Sequence, residues 1–469
     1  MIEYRTPLWC LVFVPAYKKK DCRFHLRLDT AEDVSAHGGQ GLIDCLAKRF
    51  EVWNRLAKID GIDPRKRLTS GFSPIALISQ IILGFASGAT SLADMERLGQ
   101  DRVLVELVGL AKGADQSTLG EWLRAQSPKS VEAVMSINRD FVAEVFQQAK
   151  PGRVLEAGRP TVFFDDTEIE VEGKQFEAAR INYEGNRALS FQTIWVGPFV
   201  GDAILDGAAD PSRHVGELLA ANRRLWEEKQ AHFYADSASS AAKYLQAIDE
   251  NGFGSWSVSY NKWVEKLEKL AAGLPETQWS MDPVNEAGLQ AGYAWVKHMP
   301  GEAQRSYTFA VVRRKAAGEM FWRYGFVVSA DVRPEGQNPS AKSVMKRHQL
   351  KGASEQGFSH LLSDLDLHHP PCEKWVANQM FYALGVLAYN LMIAFRVLEL
   401  PDDAQGWRPK TIIRNLLIVP VKVSTHARRR VATLCVPAGW MRWWRLFLQD
   451  HGPKRTHGGA RLRVEESGL

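Results

Sequence analysis

Two aspartates stand at the ends of predicted strands, where their carboxylates could bind a divalent metal ion. Asp165 follows the apolar run Thr161–Phe164, and Asp236 follows His232–Ala235. Strand ends are where open α/β sheets form their sites. Two carboxylates brought together repel one another unless a cation lies between them. Mg²⁺ is held by one or two carboxylates, and a pair of such ions supports phosphodiester cleavage. The candidate chemistry is therefore metal-dependent cleavage of a phosphodiester bond.

Glu355 is the candidate for a third carboxylate. It lies in a helix predicted over 341–361, in which His348, Lys351 and Glu355 share one side at spacings of three and four residues. An exposed ion pair between Lys351 and Glu355 is an alternative explanation of the same spacing. The sequence leaves both explanations open.

The stretch 161–173 alternates with a period of two, which is typical of a strand. Asp165 falls on the same face as Phe163 and Ile169, whereas Asp166 falls on the other face with the glutamates 168, 170 and 172. We therefore expect the even-numbered acids to form a solvated face. An acid on the apolar face needs a partner, a proton or a metal ion. A turn cap at the strand end remains the alternative for Asp165.

The elements that must position these acids form a mixed α/β pattern. Residues 151–261 show the order β-β-β-α-β-α-β, which predicts a mixed sheet with helices packed on it. Residues 262–340 form a β-rich insertion, and 341–400 return to helices, including an apolar core helix over 374–398. Residues 1–150 form an all-helical block, interpreted as a DNA-end-binding domain or, alternatively, as a helical support domain.

The charge distribution favours a polyanionic partner. The net charge is only +5, but the C-terminal region 401–469 carries 13 Lys and Arg against 5 Asp and Glu. Within it lies the triplet Arg428, Arg429 and Arg430, a candidate set of phosphate contacts or, alternatively, a solvated turn.

Several classes of protein are disfavoured by what the sequence lacks. The five cysteines show no CxxC pair and no metal-ligand spacing, which favours a reducing compartment. The first apolar run precedes its lysine cluster, the wrong order for a secretory signal, and no apolar run reaches membrane-spanning length. P-loop, dinucleotide-binding, GxSxG and HExxH motifs are absent. We therefore expect a cytoplasmic protein without a membrane partner.

Short motifs along most of the chain resemble one family, the bacterial insertion-sequence transposases of the DDE type. The resemblance rests on the order and spacing of these motifs: Gln116–Leu119, Val162–Gly173 with its Asp-x-Thr, Tyr234–Ser237, Gly352–Leu367, Val376–Gln379, Leu387–Leu391 and His426–Arg428. It implies a ribonuclease-H-like core interrupted by a β insertion domain. It also implies that Asp165, Asp236 and Glu355 are the three metal-binding acids, with two Mg²⁺ ions for which Mn²⁺ can substitute.

The same resemblance implies contacts with DNA. The family pattern Tyr-x2-Arg-x3-Glu-x6-Lys around the last acid corresponds here to His348, Lys351, Glu355 and Leu362. His348 and Lys351 are therefore candidate phosphate contacts, although Lys351 lacks the bidentate fork of arginine and Leu362 cannot replace the lysine. Trp295 and Trp322 of the insertion are candidates to stack on a flipped base, with core packing as the alternative for each.

The resulting hypothesis is a DNA transposase that cleaves at the ends of an insertion sequence and transfers the freed strand into target DNA. Its expected partners are the terminal inverted repeats, target DNA and a second copy of the chain in the DNA complex. It would act at the bacterial nucleoid. A metal-dependent nuclease without strand transfer and an inactive DNA-binding relic remain as alternatives.

Overall fold

The computed structural model describes residues 32–65, 71–182, 184–227, 230–261, 264–331, 339–426, 429–441 and 444, together with strands β1 (Leu8–Val12) and β2 (Lys20–Phe24). Only the backbone is described at 8–12, 20–24, 331, 351, 353–356, 426, 429 and 430. Strands β1 and β2 pair antiparallel with each other.

A block of short helices precedes the central sheet. Its helices are α1 (Gln40–Arg49), α2 (Val52–Ala57), α3 (Pro74–Ala86), α4 (Leu92–Gly99), α5 (Arg102–Leu107), α6 (Gln116–Arg124), α7 (Pro128–Gln148) and α8 (Pro151–Val154). Local sequence defines several of the starts, because the side chains of Ser73, Ser91, Asp101, Asp115 and Ser127 accept backbone N–H groups of the first turn. Proline occupies the first turn of α3 and α7, where its missing N–H costs nothing.

A mixed sheet follows. Its first part comprises β4 (Thr161–Glu170), β5 (Arg180–Ile181), β6 (Arg187–Val196), β7 (Phe199–Gly207), β8 (His232–Ala235) and β9 (Ser255–Tyr260), with helices α9 (Val215–Asn222) and α10 (Ala242–Glu250) between the last strands. Strands β4, β6 and β7 pair antiparallel, whereas β8 lies parallel to β4 and β9 parallel to β8. The spatial order is therefore β7-β6-β4-β8-β9. The prediction of a mixed α/β fold is confirmed.

The β-rich stretch after β9 extends the same sheet. It contains α11 (Glu265–Ala272) and strands β10 (Ser280–Met281), β11 (Gln290–His298), β12 (Tyr307–Lys315) and β13 (Arg323–Asp331). Strand β13 pairs antiparallel with β9, so the order continues β9-β13-β12-β11-β10. One backbone ladder thus joins the strands of this β-rich stretch to the strands that carry the two aspartates.

Helices from the last third of the chain cover the sheet. They are α12 (Ala341–Gln349), α13 (Lys351–Asp364), α14 (Trp375–Glu399) and α15 (Pro409–Ile412), followed by the hairpin β14 (Val421–His426) and β15 (Arg429–Leu434), in which β14 also pairs with β3 (Val34–Ser35). Residues 451–469, within the predicted basic C-terminal region, lie outside the described residues.

Helix α14 is the central helix of the core, as the sequence predicts. By length and apolar composition it could span a membrane, but 89% of its apolar window is buried inside the fold. It packs against helices of the N-terminal block and against β7. The rings of Phe85 in α3 and Phe381 in α14 lie 5.0 Å apart, and Asn390 donates to Asn138 of α7 and to the Val200 carbonyl of β7. The N-terminal helices and the sheet therefore share one hydrophobic core.

Candidate active site

Asp165 and Asp236 lie side by side on adjacent parallel strands. Phe164 pairs with Ala235, so the next residue on each strand is an aspartate. Asp236 has φ −80° and ψ −174°, so the chain is still extended there. Neighbouring strands are about 4.8 Å apart, and residues in register point to the same side of a sheet. The two carboxylates that the sequence singled out are thus brought together, each partly exposed to solvent.

Strand β4 has two faces, a front face and a back face. The front face carries Phe163, Asp165 and Thr167, and the back face carries Phe164, Asp166 and Glu168. On the front face, the residues that lie opposite Asp165 on successive strands form a row across the sheet, which we call the front row. The members of this front row, from β6 to β11, are Thr193, Asp165, Asp236, Ser259, Val327, Ala310 and Trp295.

Each aspartate of the pair also accepts a local backbone hydrogen bond. Asp165 Oδ1 accepts from the N–H of Asp166 at 3.1 Å, and Asp236 Oδ1 accepts from the N–H of Ala238 at 2.9 Å. Asp236 therefore does cap a short turn, which was the alternative considered for Asp165. A cap occupies one oxygen and is compatible with metal binding by the other.

Asp166 does not lie on a solvated face as expected. Its carboxylate is partly buried on the back face, and Ser190 Oγ donates to Asp166 Oδ1 at 2.5 Å. Burial raises the pKa of Asp166 to about 7, and the negative charges of Asp165, Glu168 and Asp236 add to the rise while the Ser190 bond opposes it. The expected solvated face is thus only partly solvated at this position, because α9 and the turn before it cover the back face of β6.

The pair fits the requirements of a hard divalent cation. Its donors are carboxylate oxygens, which Mg²⁺ prefers, and two adjacent carboxylates repel one another unless a cation lies between them. Among the side chains that the structure describes, no cluster of three ligand residues could hold a metal ion. The side chain of Glu355, the predicted third acid, lies outside that set.

Helix α13 carries position 355 on the front face of the sheet. Phe358, three residues after Glu355, packs its ring 5.8 Å from that of Trp195 and 6.4 Å from that of Phe191, both on the front face of β6. A Cβ on Gly357 would lie 3.1 Å from the Trp195 ring, so glycine permits this close approach. Leu362, at the place of the family's lysine, is buried.

His348 is placed differently from a phosphate contact. It is 7% exposed, with Nδ1 3.0 Å from Ser257 Oγ and Nε2 2.7 Å from Ser259 Oγ. Both ring nitrogens therefore engage strand β9. The structure gives no support to His348 as a DNA ligand, because its ring faces the sheet.

The two tryptophans lie on opposite sides of the sheet. Trp295 belongs to the front row and is 37% exposed. Trp322 packs under Arg313, whose guanidinium lies 4.3 Å from the Trp322 ring and 4.2 Å from the Trp279 ring. Arg313 stems from the opposite face of β12, where Glu276 binds it in a bidentate ion pair. Trp322 is thus engaged in a cation–π stack within the protein.

Two arginines of the basic triplet lie at the start of strand β15. Arg429 and Arg430 begin β15, opposite His426 and Thr425 of β14. Arg428 and the side chains of Arg429, Arg430 and Lys351 lie outside the described residues. Their predicted phosphate contacts therefore stay predictions.

Some residues of the site were missed from the sequence. Ser190 and Gln192 support Asp166 from β6, and Ser257 and Ser259 hold His348 from β9. Ser257 and Ser259 could have been found from the sequence, because serine alternates through Ser255–Tyr260. Regularly spaced polar side chains on a buried strand require hydrogen-bond partners. Ser190 and Gln192 carry no comparable pattern.

Comparison with known proteins identifies the family of the chain. No curated protein matches the chain. The model of one family, described as the transposase DDE domain, group 1, matches residues 19–449, which include β4, β8 and α13. The chain belongs to this family of DDE transposases.

Proposed function

We propose that this protein cleaves DNA at the ends of an insertion sequence and joins the freed strand to target DNA. Asp165, Asp236 and Glu355 are the proposed ligands of two Mg²⁺ ions, for which Mn²⁺ can substitute. The observation that carries the proposal is the register of β4 and β8, which sets Asp165 and Asp236 side by side on one face of the sheet.

The path of α12 and α13 supports Glu355 as the third ligand. His348 contacts β9 and Phe358 contacts β6, so the chain crosses three strand spacings, about 14 Å, between them. Ten helical residues span about 15 Å, and Leu350 between the helices keeps helical angles. Position 355 then falls about two spacings from β9, over the strand of Asp165. It also shares a helix side with His348 and Phe358.

We propose further that the sheet is a ribonuclease-H-like core. Its order β7-β6-β4-β8-β9, with the first three strands antiparallel and the last two parallel to β4, is the arrangement that this assignment requires. The β-rich insertion then lies between β9 and α12 and continues the sheet beyond β9. The register of the ladder supports this assignment through the adjacent aspartates of β4 and β8.

In the proposed reaction the acidic residues of this chain would hold the metal ions, and its basic residues would orient the DNA and neutralise phosphate charge. Bound metal ions supply activation of the attacking oxygen and stabilisation of the leaving one. The protein positions the phosphodiester beside Asp165 and Asp236, and partial exposure of both carboxylates leaves them accessible to DNA. Cleavage and joining are both phosphoryl transfers, so one set of carboxylates serves both.

DNA would be held by residues around the front face. Trp295 is the proposed base-stacking residue, because it lies on the front row, is partly exposed and follows the same ladder as the acids. Lys351 and the triplet Arg428, Arg429 and Arg430 are proposed phosphate contacts. We propose the N-terminal helices as the domain that binds the element ends. Bringing two ends together would require two copies of the chain.

The test is a cleavage and joining assay on DNA that flanks the coding region, with Mg²⁺ or Mn²⁺ and a supercoiled target plasmid. We expect 3′-hydroxyl ends at the element boundary and covalently joined product. Asp236→Asn and Glu355→Gln should remove both, while binding of the same DNA in chelator persists. Cleavage without joined product would favour a nuclease, and binding without cleavage in the unmutated protein would favour a relic.

A further inference from the structure

His348 bridges helix α12 to strand β9 through two serine hydroxyls. Its Nε2 lies 2.7 Å from Ser259 Oγ and its Nδ1 lies 3.0 Å from Ser257 Oγ. Ser257 also lies 3.4 Å from Nε2 of His232, whose Nδ1 lies 2.7 Å from Ser255 Oγ. A polar ladder therefore runs along one side of β9 beneath α12, buried except for the partly exposed Ser259.

This ladder ends at the strand position next to Asp236. Ala235 pairs with Val258, so the following residues, Asp236 and Ser259, share the front row. His348 is therefore fixed to the same row that carries both aspartates. The distance from Asp236 to its neighbour on β9 is one strand spacing, about 4.8 Å.

Beyond His348 the helix continues toward position 355. Leu350, between α12 and α13, has φ −64° and ψ −15°, so the break in the helix is slight. Glu355 comes seven residues, close to two turns, after His348 and thus on the same side. The far end of α13 is held separately, since Arg408 pairs with Asp364, whose side chain is 1% exposed.

From these contacts we infer that His348 is a positioning residue, which sets Glu355 over Asp165 and Asp236 by fixing the end of α12 to Ser257 and Ser259. The inference rests on the proposed function, in which Glu355 is a metal ligand. His348 occupies the place where the family pattern has a tyrosine, but it acts on the protein's own strand. Outer partners that orient metal ligands typically contribute about 10-fold or more in metal affinity.

The experiment measures Mn²⁺ affinity of the whole chain by calorimetry, without DNA. His348→Leu removes both ring contacts at similar volume, and the double variant Ser257→Ala/Ser259→Ala removes their partners. We expect each to raise the Kd for Mn²⁺ about 10-fold. Combining them should raise it little further, because both changes break the same link. His348→Gln can still reach one hydroxyl and should recover part of the affinity.

Two controls separate this role from simpler ones. Gln349→Ala alters an exposed neighbour on the same helix and should leave the Kd for Mn²⁺ unchanged. DNA binding in chelator should be unchanged in His348→Leu. If that variant instead weakened DNA binding and kept its Mn²⁺ affinity, His348 would be a phosphate contact and the inference would be wrong. If His348→Leu fails to fold, Ser259→Ala gives the same test from the strand side.

Failure of the inference and failure of the proposed function give different results. Glu355→Gln should weaken Mn²⁺ binding more than any change at His348. If Glu355→Gln bound Mn²⁺ like the unmutated protein, the assignment of Glu355 as a ligand would fall. If it lost binding while His348→Leu did not, only the positioning role would fall.

Discussion

The front and back faces of β4 carry carboxylates one residue apart, and their surroundings differ in kind. Asp165 on the front face lies in register with Asp236 and is partly open to solvent. Asp166 on the back face is also only partly exposed, but it is bound by Ser190, which Gln192 supports with a 3.0 Å hydrogen bond to the Ser190 hydroxyl. The difference shows that neighbouring acids on one strand meet different partners: the front-face acid lies beside a second aspartate, and the back-face acid is bound by a serine hydroxyl.

The back face forms a network around residues of the loop before α9. Gln192 Nε2 donates to the Asp210 carbonyl at 2.9 Å, and Gln192 Oε1 accepts from the N–H of His214 at 2.9 Å. Tyr244 of α10 donates to the Asp210 carboxylate. These bonds engage Gln192 and Asp210 within the protein, whereas the front row leads to the exposed ring of Trp295.

The largest expected difference between the faces is in cleavage. Asp165→Asn should reduce metal-dependent DNA cleavage by about 1000-fold or more, because a lost metal ligand removes several kcal/mol of charge stabilisation. Asp166→Asn should keep cleavage within about 10-fold, because asparagine resembles the protonated acid that the raised pKa favours. Initial rates of nicking with Mn²⁺ measure both. If only Asp166→Asn lost cleavage, the acid on the back face would be the metal ligand and the assignment of Asp165 would be wrong.

The second difference is in the pH dependence of stability without metal. The pKa of Asp166 is raised by burial to about 7, so folded protein binds a proton that unfolded protein releases near its ordinary pKa. The stabilisation that this bound proton gives the folded state is therefore complete below about pH 4 and is lost by about pH 7. The free energy of unfolding should decline by a few kcal/mol, to order of magnitude, as the pH rises over this window. We expect Asp166→Asn to remove this decline.

Urea unfolding in chelator measures that decline. Glu172→Gln is the matched control, because Glu172 is an exposed acid of the same segment and should leave the pH dependence unchanged. Equal slopes in Asp166→Asn and unmutated protein would show that Asp166 ionises near its ordinary pKa.

Trp295 in β11 and Trp322 just before β13 extend the comparison to the far end of the sheet. Trp295→Ala should weaken complexes with cleaved DNA ends about 10-fold, because stacking on one base contributes about 1–3 kcal/mol. Trp322→Ala should lower the free energy of unfolding by about 1–2 kcal/mol through loss of its stack with Arg313, with little effect on DNA. Gel-shift titrations and urea unfolding measure the two effects. The reverse pattern would place the DNA on the other side of the sheet.

The smallest expected effect is at Ser190. Ser190→Ala removes the donor to Asp166 and should lower the free energy of unfolding by about 1 kcal/mol near neutral pH, since the Ser190 bond holds the pKa of Asp166 down. Cleavage should stay close to that of the unmutated protein. The loss should shrink when Asp166→Asn is already present, because the charged acceptor is gone. An additive loss would mean that Ser190 stabilises the fold independently of Asp166.

Local sequence determined much of this protein. The alternation through 161–173 defined β4 and separated Asp165 from Asp166, and the short apolar run before Asp236 defined β8. The apolar composition of 374–398 defined the buried helix α14. These features depend on the period of side chains along one element, which is written in the chain itself.

Tertiary structure decided the remainder, because it depends on which elements become neighbours. The alternation predicts that Asp166 faces away from Asp165, but only the packing of α9 and its preceding turn on that face leaves Asp166 partly buried. The helical spacing of His348 and Glu355 was visible, yet the direction of the imidazole toward Ser257 and Ser259 required β9 beneath α12. The pairing of Asp165 with Asp236 likewise followed from the parallel register of two strands that lie about 70 residues apart in sequence.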